Sequence, residues 1–469
     1  MSAGEPGTPA GAAEFRFLPG IAGNAWPAIP HPTVARAVAL LSQLEHSQWW
    51  PRERLAQMQF RQLALVVEHA AQFVPAYREP LAGVLAAARA GTLGPDDWAR
   101  VPLLTRPRAQ ALGNDLHAES IPESHAPFTW LSTSGSTGVP LKVCTTSVTR
   151  LMFDAISLRE HRWHRRDASL KLGVIRFLGD EAERGPEGVR RPTWGPPIDQ
   201  VMETGPMAAL HIGNDVATQL EWLERERPRI LITYPSNAAE LVREAARRGR
   251  ALPALDELRL FSEVLDDETR ALLRDAFGAR VTDNYSANEV GYVALRCAEH
   301  GSYHVQCENV IVEVLDERGR ACAPGETGRV VLTTLHSLAS PMLRYENGDH
   351  ARVGAPCPCG RGSPVLACVH GRTRGMVVLP DGRRHWPVMG FPRFREIAPI
   401  VQHQIVQHGL DDVEVRLVSE RPVTRDEEAK LAEFVHRALK HPFPLRFSYV
   451  ERVERSPVGK YEEFKSLVT

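Results

Sequence analysis

The chain has 469 residues, of which 43% are hydrophobic and 24% charged, with a formal net charge of -1. This composition is typical of a globular protein, and the length predicts two or three domains. The balanced charge gives no general reason to bind nucleic acid or acidic membranes, and no apolar run approaches the roughly 18 residues of a membrane span. Seven cysteines spread thinly along the chain favour a reducing cytoplasm, with clustered cysteines on a metal.

The N-terminal region carries little visible chemistry. Residues 1–15 lack the basic and apolar parts of a signal peptide and are predicted to form a disordered tail. From residue 31 to about residue 90, apolar residues recur at intervals of three and four, which predicts helices. We expect these helices to pack against the body of the protein.

A hydroxyl-rich stretch, LSTSGSTGVPLK at residues 131–142, is the first candidate site. Hydroxyls donate hydrogen bonds, and glycines let backbone N–H groups approach a phosphate closely. A Ser/Gly-rich linker is the alternative, but strand-like segments at 128–131 and 141–143 flank the stretch. The pattern G-x-x-x-x-G-K-[ST] is not met. The candidate phosphate ligands are Thr133, Ser134, Gly135, Ser136, Thr137, Gly138 and Lys142.

The middle of the chain alternates between strand-like and helical segments, which predicts an α/β fold with a parallel sheet. Strands are expected at 170–178, 229–234, 258–262 and 280–285, with helices at 216–223, 236–248 and 266–277. Ligands bind at the carboxyl ends of such strands. Three groups fall there, namely Tyr234, Ser262 with Glu263, and the run from Tyr285 to Glu289, and we place Tyr234 and Ala287 in a substrate pocket.

After Tyr303 the sequence becomes β-rich, with short strands and turns that predict a small barrel or distorted sheet. A compact α+β unit follows Gly371. The predicted organisation is therefore a large N-terminal domain at 16–371, with a β-rich subdomain at about 297–370, and a small mobile C-terminal domain at 372–469.

Four further motifs accompany the hydroxyl-rich stretch, in this order: Asp283-Asn-Tyr-Ser-Ala-Asn-Glu289, Arg344-Tyr-Glu-Asn-Gly-Asp349, Gly371-Arg372 and Ser456-Pro-Val-Gly-Lys460. Together the five resemble the adenylate-forming enzymes, and within them the branch of phenylacetate–CoA ligases, coenzyme F390 synthetases and capsule-biosynthesis adenylases. The resemblance runs from about Gln48 to the end of the chain. Family-like order and spacing make the set much more specific than any single motif.

The resemblance implies a role for each motif. Tyr285 would stack on adenine, Glu289 would hold Mg²⁺, Asp349 would bind the ribose hydroxyls, Arg372 would begin the hinge between domains, and Lys460 would be the catalytic lysine. The remaining ATP-binding residues implied are Ser262, Asp283, Asn284 and Ser286.

The chain also departs from the family pattern. Ser286 and Asn288 replace the usual Gly and Thr, and Phe261-Ser262-Glu263 replaces Gly-Gly-Glu. At the hinge, Arg374-Gly375 stands where Asp-Asp is usual, which bears on the second reaction step. The stretch 379–387 is more similar to the capsule-type branch, which weakens the case for CoA as acceptor.

A second constellation has metal-ligand character. Cys297 and His300 precede Cys357 and Cys359, and two close pairs of thiolate and imidazole ligands suit a structural, tetrahedral zinc site. His304 competes with His300 for the fourth position.

These features predict an ATP-dependent ligase that converts a carboxylic acid, expected to be aromatic, into an acyl-AMP with release of pyrophosphate. The acceptor would be CoA, or alternatively an amine or a carrier protein. A non-catalytic adenylate-binding homologue is the competing class. The cofactors implied are ATP, Mg²⁺ and zinc, and the branch often forms homodimers.

Overall fold

The computed structural model describes residues 17–132, 141–179, 185–372, 375–385, 387, 391–455 and 461–468. The predicted tail at 1–15, the loop residues Thr133 to Gly138, Arg374 of the hinge and Lys460 therefore lie outside the described residues.

The predicted N-terminal helices are confirmed. Pro51 lies at the N-cap of the second, where its missing N–H costs nothing. That helix turns an apolar stripe toward the core, including Leu63, Val66 and Val67. The elements of this region are α1 (Pro32–Ser47), α2 (Arg52–Phe73), α3 (Ala82–Arg89), α4 (Pro95–Trp98), β1 (Leu104–Thr105), α5 (Arg106–Leu112), β2 (Phe128–Ser132) and β3 (Lys142–Thr146).

The central region is a parallel α/β sheet, as the alternating pattern predicts. Its strands are β4 (Leu172–Arg176), β6 (Met207–His211), β7 (Ile230–Thr233), β8 (Glu257–Leu260) and β9 (Arg280–Ala287). They run parallel in the order β6-β4-β7-β8-β9, and the short β5 (Val189–Arg191) pairs antiparallel with β6 at the edge. The helices of this region are α6 (Ser147–Trp163), α7 (Ile198–Val201), α8 (Val216–Glu226), α9 (Pro235–Arg247) and α10 (Asp267–Phe277).

The β-rich region continues the same sheet beyond β9 with antiparallel strands, in the order β9-β10-β11-β15-β14-β13-β12. Register shifts in the pairs β9–β10, β13–β14 and β14–β15 distort it. The strands are β10 (Gly291–Arg296), β11 (Tyr303–Val305), β12 (Val310–Leu315), β13 (Thr327–Thr334), β14 (Tyr345–Val353) and β15 (Val365–Arg372).

The C-terminal region has a four-stranded sheet of its own, in the order β20-β19-β18-β21. A separate core cluster, which includes Val377, Phe394 and Leu431, packs against it. The elements are β16 (Val377–Val378), β17 (Arg384–His385), α11 (Phe391–Ile397), β18 (Ile400–Gln407), β19 (Val413–Ser419), α12 (Arg425–Leu439), β20 (Leu445–Tyr449) and β21 (Phe464–Ser466). The domain limits drawn from the sequence stay predictions.

Among the helices in the described part of the chain, none combines the length and the apolar character that crossing a bilayer requires.

Candidate functional site

Strand β14 organises the candidate site. Tyr345 at its start and Asp349 in its middle are four residues apart, which corresponds to about 13 Å along a strand. On one side β1 runs parallel to β14, with Leu104 opposite Tyr345, so that Arg106 follows directly beside it. Further along the same edge of β14, β15 places Arg372 opposite Asp349. Strand pairing thus brings together two of the predicted motifs, those that contain Asp349 and Arg372.

Glu289, the predicted Mg²⁺ ligand, lies in the turn between β9 and β10, and its side chain is only 6% exposed. Arg106 Nη1 donates to Glu289 Oε1 at 2.9 Å, and the Tyr345 hydroxyl donates to the same oxygen at 3.4 Å. Burial lowers the pKa of Arg106, but Tyr345 and the Glu289 carboxylate outweigh it and the pKa is raised overall. In this state the carboxylate is therefore neutralised by an arginine that sequence reasoning did not single out.

Asp349, the predicted ribose ligand, is partly buried and forms a hydrogen-bonded group with two buried side chains. Its Oδ2 accepts from the Tyr285 hydroxyl at 2.7 Å and from Asn347 Nδ2 at 2.6 Å. Burial, followed by the Asp349 charge, raises the pKa of Tyr285 well above its ordinary value, so the phenol stays a donor. The predicted adenine residue and the predicted ribose residue are direct neighbours.

The other residues predicted around adenine have different environments. The Asp283 carboxylate receives Arg270 Nη2 at 2.7 Å and the Tyr303 hydroxyl, while Asn284 Oδ1 accepts the Arg296 backbone N–H at 3.3 Å. These two side chains thus have protein partners. Ser286 and Ala287 lie at the end of β9, paired with Tyr292 and Gly291, and Ser286 is exposed.

Ser262 follows β8 with a backbone φ of 74°, in the left-handed region that residues other than glycine rarely adopt. It is exposed at the carboxyl end of the parallel sheet, where ligands of such sheets bind. This strained position is the observation that marks the turn as a candidate site.

Tyr234, assigned to the substrate pocket, is only 3% exposed and lies at the end of β7. Its ring contacts Phe261 at 4.6 Å between centroids, and its hydroxyl accepts the Phe177 backbone N–H at 3.4 Å. Phe177 in turn contacts His211, at 5.4 Å. A partly aromatic surface therefore lines the strand ends, and the pocket assignment stays a prediction.

The hydroxyl-rich loop is framed by the antiparallel pair of β2 and β3, as its flanking segments predict. Lys142 is the first residue of β3, is exposed, and pairs with Ser132. The next-to-last residue of the stretch, Leu141, is buried in the same core cluster as Tyr345. The end of this stretch is thereby packed into the core that also supports the Glu289 contact.

Residues on both sides of the lysine motif contact the N-terminal body. Tyr461, directly after Lys460, donates its backbone N–H to Glu263 Oε1 at 2.8 Å. Arg455, just before the motif, donates to Ser236 Oγ at 2.9 Å and to Glu240 Oε2 at 3.1 Å. Lys460 itself is not among the described residues.

The predicted metal ligands converge, with one correction. Cys297, Cys357 and Cys359 group with His304, and the four donor atoms lie within 4.8 Å of one another. His300 is not in this group: its side chain is 40% exposed in the turn between β10 and β11. His304, on β11, is fully buried and contacts Cys359. The fourth ligand is therefore set by the position of His304 on the strand, although His300 is closer to Cys297 in the sequence.

The distances in this cluster fit a tetrahedral ion. Cys297 Sγ and Cys357 Sγ are 3.8 Å apart, and Cys359 Sγ lies 3.3 Å from His304 Nε2. Zinc–sulfur bonds of about 2.3 Å at a tetrahedral angle require about 3.8 Å between sulfurs. The other ring nitrogen of His304 contacts Ser363 Oγ at 3.1 Å, and burial lowers the pKa of His304 to about 4, so the ring is neutral as a ligand must be. The cluster could hold a metal ion.

The loop that runs from Cys359 to the start of β15 is fixed to the N-terminal helices. The guanidinium of Arg361 lies 4.1 Å from the ring centroid of Trp163 and 5.0 Å from that of Trp49. Its Nε donates to Gln48 Oε1 at 3.0 Å, an oxygen that also accepts from Trp163 Nε1. A side chain at Gly362 would come within 1.8 Å of the Trp50 carbonyl oxygen, so glycine is required there. The cluster therefore joins β10, β11 and the helical layer.

Comparison with solved structures identifies the fold. With 17% sequence identity, the chain matches 2-hydroxyisobutyryl-CoA ligase in its postadenylation state with a TM-score of 0.68, over 90% of this chain and 91% of that one. It matches the anthranilate CoA ligase AuaEII at 15% identity with a TM-score of 0.52, over 74% and 67%. The fold is that of the adenylate-forming acid–CoA ligases: a large α/β N-terminal part followed by a small C-terminal one.

Sequence comparison finds relatives in one branch of these ligases. The chain is 28% identical over 226 residues to phenylacetate-coenzyme A ligase of Thermus thermophilus, which is 46% of this chain and 50% of that protein. It is 25% identical over 217 residues to the Pseudomonas putida enzyme, or 44% and 48%. The chain thus spans about half the length of the curated relatives it matches. No family model matches it. The resemblance to the phenylacetate–CoA ligase branch is confirmed.

Proposed function

We propose that this protein activates a carboxylic acid with ATP to an acyl-AMP and then transfers the acyl group to CoA. The observation that carries the proposal is the arrangement on β14, which unites the Glu289 contact, the Asp349 group and the partner strand of Arg372. The similarity to phenylacetate-coenzyme A ligases supports it.

In the first step a carboxylate oxygen attacks the α-phosphorus of ATP. The new P–O bond forms as the bond to the bridging oxygen breaks, and pyrophosphate leaves with the electron pair. In the second step the sulfur of CoA attacks the acyl carbonyl carbon, AMP leaves with the C–O electron pair, and the thiol proton passes to solvent. Negative charge accumulates on phosphoryl groups in the first step, so positioning and positive charge supply most of the catalysis.

Each proposed residue serves this chemistry. Asp349 would accept the ribose hydroxyls, Tyr285 would offer its ring to adenine, and Lys460 would bind the carboxylate and phosphate oxygens. Besides Lys460, Arg106 is a second positively charged side chain, and it lies beside Glu289. Arg106 and Tyr345 both contact Oε1 of Glu289, and a carboxylate offers the hard oxygen donors that Mg²⁺ prefers. When bound, Mg²⁺ supplies charge to the phosphate oxygens.

The Cys297, His304, Cys357 and Cys359 cluster would hold zinc in a structural role. Four protein ligands leave no open position for substrate.

The test is ATP–pyrophosphate exchange with a panel of acids: phenylacetate, anthranilate and 2-hydroxyisobutyrate, each with and without Mg²⁺. We expect exchange without CoA for at least one acid, and a thioester detected by mass spectrometry after CoA is added. Exchange with no thioester, followed by an amide when amines are supplied, would reassign the acceptor. No exchange with any carboxylic acid in an extended panel would contradict the proposal.

A further inference from the structure

The central strand β4 has a charged residue at its carboxyl end. Arg176 is the last residue of β4 and is exposed, and its backbone lies opposite His211, the last residue of β6. Val174 and Ala209, each two residues earlier, belong to the same core cluster. Because side chains alternate along a strand, Arg176 and His211 follow on that same face of the sheet. The two residues therefore lie side by side at the end of the sheet where ligands bind.

Arg176 differs in its pairing from two other basic side chains of this sheet. Lys171, directly before β4, pairs with Glu226 at 2.8 Å. Arg259 on β8 pairs with Glu160 at 2.7 Å. Among the residues that the structure describes, no carboxylate forms an ion pair with Arg176. Within that part of the chain, its positive charge is therefore not balanced by a partner.

Aromatic side chains lie beside this charge. Phe177, the next residue, is 37% exposed, and its ring lies 5.4 Å from that of His211. The Phe177 backbone N–H donates to the Tyr234 hydroxyl at 3.4 Å, and the Tyr234 ring lies 4.6 Å from that of Phe261. Burial raises the pKa of Tyr234 and the charge of Arg176 acts in the opposite direction, which places the guanidinium near the phenol. A flat apolar group could lie on these rings with one end at Arg176.

His211 is uncharged in this arrangement. The Gly213 backbone N–H donates to His211 Nδ1 at 2.9 Å. A protonated imidazole has no acceptor nitrogen, so the ring is neutral and we assign its proton to Nε2. The positive charge at the ends of β4 and β6 thus belongs to Arg176.

The position of Arg176 in the sheet decides which end of a substrate it would contact. Strands β7 and β8 separate β4 from β9, so β4 and β9 are three strand spacings, or about 14 Å, apart. Glu289 follows β9, and under the proposed function the carboxyl group that reacts with ATP lies on that side. Arg176 therefore faces the opposite end of an acid that lies across the strand ends.

We propose that Arg176 selects acids with a second anionic group, so that the substrate is an aromatic acid with a distal carboxylate. The inference rests on the proposed function. A guanidinium binds a carboxylate through two parallel hydrogen bonds, and hydrogen bonds between charged groups change affinity about 10- to 100-fold. An acid without the second anion would leave the charge of Arg176 against an apolar ring.

The experiment compares acids that differ only in the distal group. Meta- and para-carboxyphenylacetate are each compared with the corresponding amide, in which a neutral carbamoyl group of the same shape replaces the second carboxylate. Pyrophosphate exchange, the readout of the first half-reaction, gives kcat/KM for each acid. In the wild type we expect at least one diacid to exceed its amide by at least about tenfold. No preference for either diacid would overturn the proposal.

Three variants of the full chain assign the preference to its residue. Arg176→Met removes the charge and should lower kcat/KM for the preferred diacid at least about tenfold, through KM, while the amide stays within about twofold. Arg176→Lys keeps the charge without the planar fork and should give an intermediate value. Lys171→Met, the matched control, removes a positive charge at the other end of β4 and should change neither acid. Equal changes for diacid and amide in Arg176→Met would contradict the assignment.

Binding of the same acids without ATP provides a readout that needs no turnover. Isothermal titration calorimetry should show the preferred diacid binding at least about tenfold more weakly to Arg176→Met than to the wild type, with no difference for its amide. If no acid supports exchange, the proposed function fails, whereas this comparison, made with both diacids, still decides the anion site. Equal binding of the diacids by wild type and Arg176→Met would refute the role of Arg176 on its own.

Discussion

Two parts of the candidate site are held in different ways. The groups around Glu289 and Asp349 are fixed by backbone register, because β14 pairs with β13 and β15 along most of its length and with the two residues of β1. The lysine segment, from Arg455 to Tyr461, is held at its two ends by side-chain contacts at Arg455 and at Glu263, together with one backbone N–H. Register cannot change without unfolding strands, whereas a few hydrogen bonds can be exchanged within a catalytic cycle. The groups on β14 are therefore fixed by the fold, whereas the contacts of Arg455 and Tyr461 can change without unfolding a strand.

The largest expected effect concerns the lysine segment. Lys460→Ala should lower pyrophosphate exchange about 100- to 1000-fold, because one preorganised positive charge at the reacting oxygens is removed. The melting temperature should not change. Lys430→Ala, at an exposed position on α12, is the control. Exchange within tenfold of the wild type would remove Lys460 from the catalytic machinery.

The second prediction concerns the part of the molecule fixed by strand pairing, through the cysteine–histidine cluster. Cys357→Ser should lose one metal ion per chain, measured by elemental analysis, with at least about 100-fold weaker metal affinity and a lower melting temperature. Because the cluster supports the sheet, both half-reactions should decline by the same factor. Cys322→Ser, outside the cluster, is the control. Full metal content in Cys357→Ser would show that the cluster is not a metal site.

A smaller effect sharpens the comparison within β14. Tyr285→Phe keeps the ring but removes the hydroxyl that donates to Asp349, leaving Asn347 as the other donor in this group. We expect the KM for ATP in the exchange assay to rise about tenfold with little change in kcat, the size of one hydrogen bond to a charged group. Tyr449→Phe, which removes an exposed hydroxyl bonded to Glu428, should change neither value. A change in kcat alone would contradict this role.

The smallest effect concerns pH at the contact between the two parts. Burial, and next the charge of Asp266, raise the pKa of Glu463 to about 7; Arg243 lowers it and Glu263 raises it. The state in which the two parts are in contact therefore binds more protons than a state without the contact, in which Glu463 has an ordinary pKa. The contact between the two parts is strongest below the ordinary pKa, weakens as the pH rises from there through about 7, and does not weaken further well above it.

Between pH 6 and pH 8 this linkage corresponds to about a tenfold decrease in the equilibrium constant for the contact between the two parts. In amide hydrogen exchange, the Tyr461 backbone amide should exchange correspondingly faster at pH 8, after correction for the intrinsic pH dependence. Glu463→Gln should abolish the difference, and Glu462→Gln, at an exposed position, should retain it. The same pH dependence in Glu463→Gln and wild type would exclude this group as its source.

Much of the fold was predictable because local patterns agree with it. The helical segment from 31 to 90, the alternation of strands β4 and β7 to β9 with helices α8 to α10, and the helix at 425–439 all appear where periodicity places them. Strand β18 and helix α6 were not predicted. The former mixes polar and apolar residues because its neighbours bury both faces, and the latter buries charged residues such as Arg159 and Glu160.

The site was predictable in its residue types but not in its partners. Motifs identified Glu289 and Asp349, yet nothing local to Thr105-Arg106-Pro107 predicts that Arg106 meets a carboxylate 183 positions away. The pairing of β1 with β14 creates that contact, and parallel pairing of distant segments leaves no short-range signal. The choice between His300 and His304 depended in the same way on β11.

The Arg106–Glu289 pair has a consequence for the order of ligand arrival. A divalent ion approaching alone would meet a carboxylate whose charge is already cancelled, with a fixed cation 2.9 Å from one of its oxygens. Under the proposed function, the polyphosphate that accompanies the ion would attract the Arg106 guanidinium and leave the charge of Glu289 less compensated. Under the proposed function, we therefore expect Glu289 to bind Mg²⁺ more strongly together with the nucleotide than alone.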